Sequence, residues 1–266
     1  MVKFKIFSLT ILIFCFFSCV SAQFNEFYNE TCNLSDIPEE CKLKNNEEPQ
    51  VFTTDNINRD IIEVKSNYYG IIGYASYNGP EFSADEIIDA AKKLCIKKRA
   101  KLALVSWGYT DTRNGIINLP NTTTSTTTGN INSFGNFNYT TTSITNNNSI
   151  SYSVRRYNYD IVLFVLMPEK YKNTMKLGIS FSDLDSETRY ALKRNTGVLI
   201  DTVFKDKPAY YANLYSGDII IEVNGKSVKH SQDYQKVMES LENENILIFT
   251  IIRNGIEHKI NIEINK

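Results

Sequence analysis

Histidine is almost missing from this chain: its 266 residues hold two, His230 and His258, both late in the sequence. A Ser-His-Asp relay needs an imidazole poised between nucleophile and carboxylate, so nothing before His230 can supply one. His230 stands just ahead of a helix and His258 on a terminal hairpin strand, and both read as surface or structural residues. The five cysteines show no CxxC spacing and have no histidine beside them, which argues against a metal centre. Phosphate loop, dinucleotide fingerprint and zincin motif are all absent, and no cofactor is expected. Asp111, Asp160, Asp183 and Asp185 supply carboxylates, but none is paired within a supporting motif. An excess of one charge is lacking too. The 29 basic and 30 acidic side chains leave a net charge of −1, with no basic surplus to suggest nucleic acid as a partner. The block Lys97-Lys98-Arg99 reads as a solvated helix end, where cations suit the dipole.

What is present begins with an export signal. Residues 1–22 carry Lys3 and Lys5, an apolar run over residues 6–17, and Val20-Ser21-Ala22 as a small-residue cleavage site. The run is too short to span a bilayer. Lipid attachment at Cys19 is a rival reading, because Ser18 is the small residue expected before a lipidated cysteine; Phe16 and Phe17 fit that pattern poorly. Cleavage removes Lys3 and Lys5 and leaves 27 basic against 30 acidic side chains, a charge of −3. The mature protein is thus expected outside the cytoplasm, in the periplasm or cell envelope, touching membrane only through a lipid anchor if it has one. In that oxidising setting Cys32 and Cys41 could pair, closing a short loop worth roughly 2–3 kcal/mol. Cys95 falls on the apolar face of a helix and reads as a small buried hydrophobe.

Residues 23–54 are polar and read as an extended lead-in. A small α/β domain is expected over residues 55–168. Residues 69–77 form a strand ended by Asn78-Gly79-Pro80. Ser83 and Glu86 make a capping box for a helix with the stripe Ala84, Ile87, Ile88, Ala91, Leu94 and Cys95, and residues 101–107 form the next strand. This is a βαβ-like unit. Residues 118–153 are dense in Thr, Asn and Ser and cannot bury enough apolar area to offset their ordering entropy; they read as an inserted loop or β-ribbon. Sequons at Asn29, Asn33, Asn121, Asn138 and Asn147 arise easily by chance in such a composition. Residues 155–167 return to strand and are expected to rejoin the first sheet before Pro168 opens a linker. Trp107-Gly108-Tyr109 and Tyr157-Asn158-Tyr159 read as packing or as an aromatic ligand patch.

The last ninety or so residues are the most informative. Lys176-Leu177-Gly178-Ile179-Ser180-Phe181 places a glycine between apolar residues, where a backbone without Cβ lets a ligand approach closely. Residues 197–203 read as a β-branched strand. Residues 207–214 read as a short helix with Pro208 in its first turn, and Gly217 follows it. Residues 219–223 form a strand closed by the Asn224-Gly225 turn. Ser231 caps a helix whose Tyr234, Val237, Met238 and Leu241 share one face. Residues 246–253 and 256–264 make a hairpin around Asn254-Gly255. Pro208-Ala209 through Leu214, Gly217-Asp218-Ile219-Ile220 and Val223-Asn224-Gly225-Lys226 together resemble a PDZ domain of the circularly permuted, bacterial HtrA-associated type, over residues 175–265.

The resemblance implies an α+β protein: a small α/β domain followed by a PDZ-like barrel or sandwich capped by two helices. It implies a groove that takes an extended or C-terminal peptide segment, lined by Leu177, Gly178, Ile179, Ser180 and Phe181 on one wall and Tyr234, Val237 and Met238 on the other. The Gly-x-Ser-Gly-Gly surroundings of the HtrA protease nucleophile are absent. The first domain, with residues 105–112 and 156–160, resembles a bacterial envelope family that carries such a domain ahead of a PDZ domain. The reading is therefore a non-enzymatic peptide- or protein-binding envelope protein. A regulatory or adaptor subunit of a separate envelope protease is the alternative, and an enzyme of unrecognised type in the first domain a third.

The mature chain is expected to begin at Gln23. Intact-mass analysis of the exported protein checks this, and a mass that includes diacylglycerol on Cys19 would establish the lipid-anchored form instead.

Overall fold

The structure is a computed structural model that describes residues 20–118, 123–131, 137–145 and 149–264. Most of the export signal, Cys19 included, lies outside them, as do parts of the Thr/Asn-rich insertion. The fold mixes helix and sheet, and its contacts divide into two units. One holds the chain up to Tyr77, Ser83–Ser106 and everything from Tyr159; the other holds Asn78–Phe82 and Trp107–Asn158.

The first unit opens with α1 (Val20–Glu26) and β1 (Tyr28–Glu30), then two single 3-10 turns, then β2 (Gln50–Thr53) and α2 (Ile57–Ser66). Next come β3 (Tyr69–Pro80), α3 (Ala84–Lys98) and β4 (Leu102–Asn118). The chain passes through β5 (Thr123–Ile131) and β6 (Phe137–Thr145) and returns along β7 (Ser149–Leu166). The first sheet has the order β1-β3-β7-β4-β2. Lys101 bonds Phe164 near one end and Thr110 bonds Arg156 near the other, so β4 and β7 run antiparallel. Tyr68 with Met167 and Asn78 with Asn158 give the same sense for β3 and β7. β3 and β4 are therefore parallel, with β7 inserted between them and α3 crossing over it.

Both faces of this sheet are covered, which explains why residues 161–165 are buried without alternation. Leu102, Leu104, Val162 and Phe164 meet Ile57, Ile61 and Val64 of α2. The alternate residues Ala75, Tyr77 and Tyr159 face the other way, where Phe24 of α1 packs edge-on to Tyr77 at 5.2 Å and α1 packs on α3. The capping box at Ser83 and Glu86 starts α3 as its sequence predicts.

Residues 23–54 are not an extended lead-in. β1 pairs antiparallel with β3 and β2 pairs parallel with β4, forming both edges of the sheet, while Phe24, Cys41 and Leu43 are buried. Strands of three and four residues are too short to show a period, so this segment's structure comes from the sheet that receives it. Cys32 and Cys41 do not form a disulfide. Cys32 is an exposed free thiol, whereas Cys41 lies buried in the second 3-10 turn.

In the second unit the outer parts of β3, β4 and β7 are tied through Asn78. Its side-chain amide donates to Thr110 and Asn158, its side-chain oxygen accepts from Arg156 Nε, and its carbonyl accepts from Arg156 Nη2. β5 and β6 form an antiparallel hairpin, with Thr123 opposite Thr145 and Ile131 opposite Phe137. Tyr109 meets Tyr157 edge-on at 5.7 Å. Tyr159 is buried with Tyr77 in the first unit, so Tyr157-Asn158-Tyr159 does not act as one aromatic patch.

The remaining elements of the first unit are α4 (Glu169–Thr174), β8 (Ile179–Asp183), α5 (Ser186–Leu192), β9 (Val198–Val203) and α6 (Pro208–Tyr211). After them come β10 (Ile219–Val223), β11 (Lys226–Ser227), α7 (Ser231–Ser240), β12 (Ile246–Arg253) and β13 (Ile256–Glu263). The sheet order is β13-β12-β10-β9-β8, with β11 beside β10; the sheet is open, not closed into a barrel. Asn224-Gly225 and Asn254-Gly255 all have positive φ, as tight hairpin turns require. One face of the sheet carries the core of Val198, Ile200, Ile220, Leu247, Phe249 and Ile251, onto which α6 and α7 pack. The β13 edge carries exposed Glu257, His258, Lys259 and Glu263. Within this unit Tyr68, held at φ 64°, stacks on Phe204 at 5.1 Å and donates to the Lys205 carbonyl, and Lys205 pairs with Glu63 of α2.

Asp218 is nearly inaccessible, at 1% exposure. Its carboxylate accepts from Arg253 Nε at 2.7 Å, from Arg253 Nη2 at 2.6 Å and from the Tyr215 amide at 2.8 Å. Arg253 also donates to the Asn213 carbonyl and lies over the Tyr215 ring. Removing one partner of a buried pair strands the other. Asp218→Ala is expected to lower stability by about 3 kcal/mol, which urea denaturation of the variant against the natural chain measures.

Candidate functional site

The groove is built from the α6 side upward. Pro208 occupies the first position of α6, where the missing N–H costs nothing. The amide of Ala209 then has no intrahelical acceptor and donates to the Leu177 carbonyl at 3.0 Å. Phe204 N–H donates to the Gly178 carbonyl at 2.9 Å. A trans peptide is planar, with its N–H opposite its C=O. With both carbonyls turned toward α6 and Phe204, the amides of Gly178 and Ile179 point the opposite way. Successive N–H groups of this kind make an anion seat. Gly178 has φ +80°, and a Cβ on it would collide with the Lys207 side chain, so glycine is required here on two counts.

β8 follows as the last strand of its sheet, with no strand on its outer side among the described residues. α7 forms the facing wall. Tyr234 is the floor, 4% exposed, edge-on to Phe181 at 4.6 Å and to Phe249 at 6.3 Å, and burial pushes its phenol well up from the ordinary range. Between the walls lies a cavity of about 430 Å³, lined by Leu177, Gly178, Ile179, Phe181, Tyr234 and Met238. Ser180 and Val237, expected in the groove walls, are not among the residues that line this cavity. Ser180 sits where the β8–β9 register shifts. Val237 packs partly buried on the core, as Met238 does, and of the two only Met238 also lines the cavity.

Lys176, Gln235, Glu239, Leu241 and Glu242 also line the cavity, and sequence reasoning passed over all of them as groove residues. Leu241 and Glu242 stand just past the end of α7; the sequence places Leu241 on the apolar stripe but not in the groove wall, and Glu242 lies off the stripe. The walls are tied at both ends. At one, Asp183 at the end of β8 accepts from the Ser231 amide at 2.6 Å; His230, not Ser231, is the N-cap position, and it makes no side-chain cap bond. At the other, Lys176 Nζ lies 2.8 Å from Glu242 Oε1. Lys176 holds the Glu242 carboxyl below the usual carboxylate range.

Two of the other carboxylates, Asp185 and Asp111, have structural partners. Asp185 caps α5 through the Thr188 amide, which lowers its carboxyl, and Asp111 pairs with Arg113. Burial pushes the Cys95 thiol up to about 12, consistent with an inert core position. Among the described residues no cluster of His, Cys, Asp or Glu could hold a metal ion.

Residues 175–264 match the family model of the PDZ domain. Over 88 residues this region is 34% identical to a probable periplasmic serine endoprotease, DegP-like, from Marinomonas sp., covering 32% of this chain and 19% of that protein. Over 99 residues it is 33% identical to an HtrA-like serine protease of Staphylococcus epidermidis, covering 35% and 17%. The chain thus spans less than a fifth of the length of these relatives. Among solved structures it is similar to an HtrA3 PDZ domain bound to a phage-derived ligand, FGRWV, with 22% identity, TM-score 0.29, and 33% of this chain and 81% of that one covered. It is also similar to the HtrA-type protease AlgW with a decapeptide, with 18% identity, TM-score 0.29, and 38% and 36% covered.

Gly178→Ala combines a left-handed residue with a steric clash. It is expected to cost roughly 2 kcal/mol or more and to displace the Phe204 and Ala209 amides. Faster hydrogen exchange at those two amides, with the β12–β13 hairpin unchanged, is the signature to measure.

Proposed function

We propose that this chain is an exported, non-enzymatic protein that binds an extended or C-terminal peptide segment in the groove between β8 and α7. One observation carries the reading: an apolar cavity that lies beside the open edge of β8 and an outward-facing pair of amides. A peptide laid along β8 gains backbone hydrogen bonds, and its side chains enter the cavity. The relatives matched by the PDZ region are by name periplasmic or HtrA-type proteases, which supports a location outside the cytoplasm. It also favours a second reading, an adaptor for a separate envelope protease, in which the groove presents that enzyme's partner or substrate.

Met238, not Val237, is the residue that tests the groove. Met238→Glu places a carboxylate against apolar ligand atoms and close to a ligand carboxylate, and should weaken binding about thirtyfold, on the order of 2 kcal/mol. The measurement uses the intact chain and an array of random peptides with free C-termini, with circular dichroism to confirm that the variant is folded. Absence of any binder, or equal binding by the two folded proteins, would overturn the proposal.

A further inference from the structure

The ties at the two ends of the groove differ in kind. Asp183 holds a backbone amide of α7, part of the framework that fixes the helix. Lys176 and Glu242 are side chains on opposite walls, 66% and 67% exposed, and both line the cavity. Lys176 directly precedes the Leu177-Gly178-Ile179 turn, so its ammonium lies at the same end as the outward amides of Gly178 and Ile179. That end is positive from two sources, and Glu242 is the anion that answers it.

We infer that Glu242 stands in for the ligand's own terminal carboxylate: it holds Lys176 across one end of the empty groove and yields it to a free C-terminus when a peptide binds. The inference rests on the groove reading above, takes its C-terminal form, and adds that Glu242 competes with the ligand's chain end for Lys176. An exposed ion pair shifts an equilibrium by about fivefold at most. The exchange is therefore nearly neutral, and apolar burial of the last side chain together with the amide contacts decides it. Glu239, exposed on the same wall, stays in place when Glu242 is released. The two carboxylates then border the seat and oppose acidic side chains near the ligand's end, so the ligand class is a free C-terminus with apolar or basic final residues.

The test uses two arrays of the same random decapeptides, one as free acids and one as C-terminal amides, probed with the intact chain and with Glu242→Gln and Lys176→Met. The natural chain should prefer acids. Glu242→Gln should bind them two- to fivefold more tightly and keep the preference, while Lys176→Met should lose much of it. Equal binding of acids and amides by the natural chain overturns the exchange and leaves the groove intact. So does Glu242→Gln that binds acids no more tightly, or Lys176→Met that keeps the full preference. No binder on either array overturns the groove reading, and this inference with it.

Discussion

Two hydrogen bonds set the geometry on which the groove depends: Ala209 N–H to the Leu177 carbonyl and Phe204 N–H to the Gly178 carbonyl. They consume the acceptors of the turn and so direct its donors outward. They require the left-handed backbone that only Gly178 takes without strain. They also place the start of α6 against the turn, which is why Pro208, which spends no donor, and Ala209, which has no bulk, stand together. A longer side chain at 209 would push α6 off the turn, since Ala209 is fully buried.

Phe204 has a second role. Its amide fixes the turn while its ring stacks on Tyr68, at the start of the first sheet. The carbonyl of the next residue, Lys205, takes the Tyr68 hydroxyl, and its ammonium pairs with Glu63 of α2. Tyr68 adopts positive φ to reach this position, a cost offset by stacking and by a satisfied hydroxyl. The groove turn and the first sheet are therefore separated by a single side chain within one compact unit. Helix α4 occupies the stretch where composition suggested a linker.

The sequence made the C-terminal half legible because its elements end in residues with one physical meaning. Asn224-Gly225 and Asn254-Gly255 can be little but tight turns, Pro208 marks a first helical turn, and the Tyr234/Met238 spacing marks a face. What escaped was whatever depends on a distant partner. Asp218 looks like an ordinary turn carboxylate until Arg253 arrives from thirty-five positions away. Asp183 looks unassigned until α7 lends it an amide. β1 and β2 carry no period of their own, and the insertion of β7 between β3 and β4 follows from hydrogen bonds, not from pattern. Val237 and Met238 are adjacent on one stripe and both pack on the core, and nothing in their spacing says that Met238 alone also reaches the cavity. Lys176 and Glu242 were invisible for the plainest reason: polar residues beside a groove look like any solvated surface.

The two borders of the C-terminal sheet are unlike. β13 presents a mixed row of exposed charges, the usual means by which an edge refuses a passing strand. β8 is five residues long and uncharged until Asp183. A sheet receptive on both sides would be a seed, each captured strand offering a fresh edge to the next chain. On the proposed reading addition has one direction and one step: a short guest would enter on one flank, the opposite flank carries charges, and the count would stop at one.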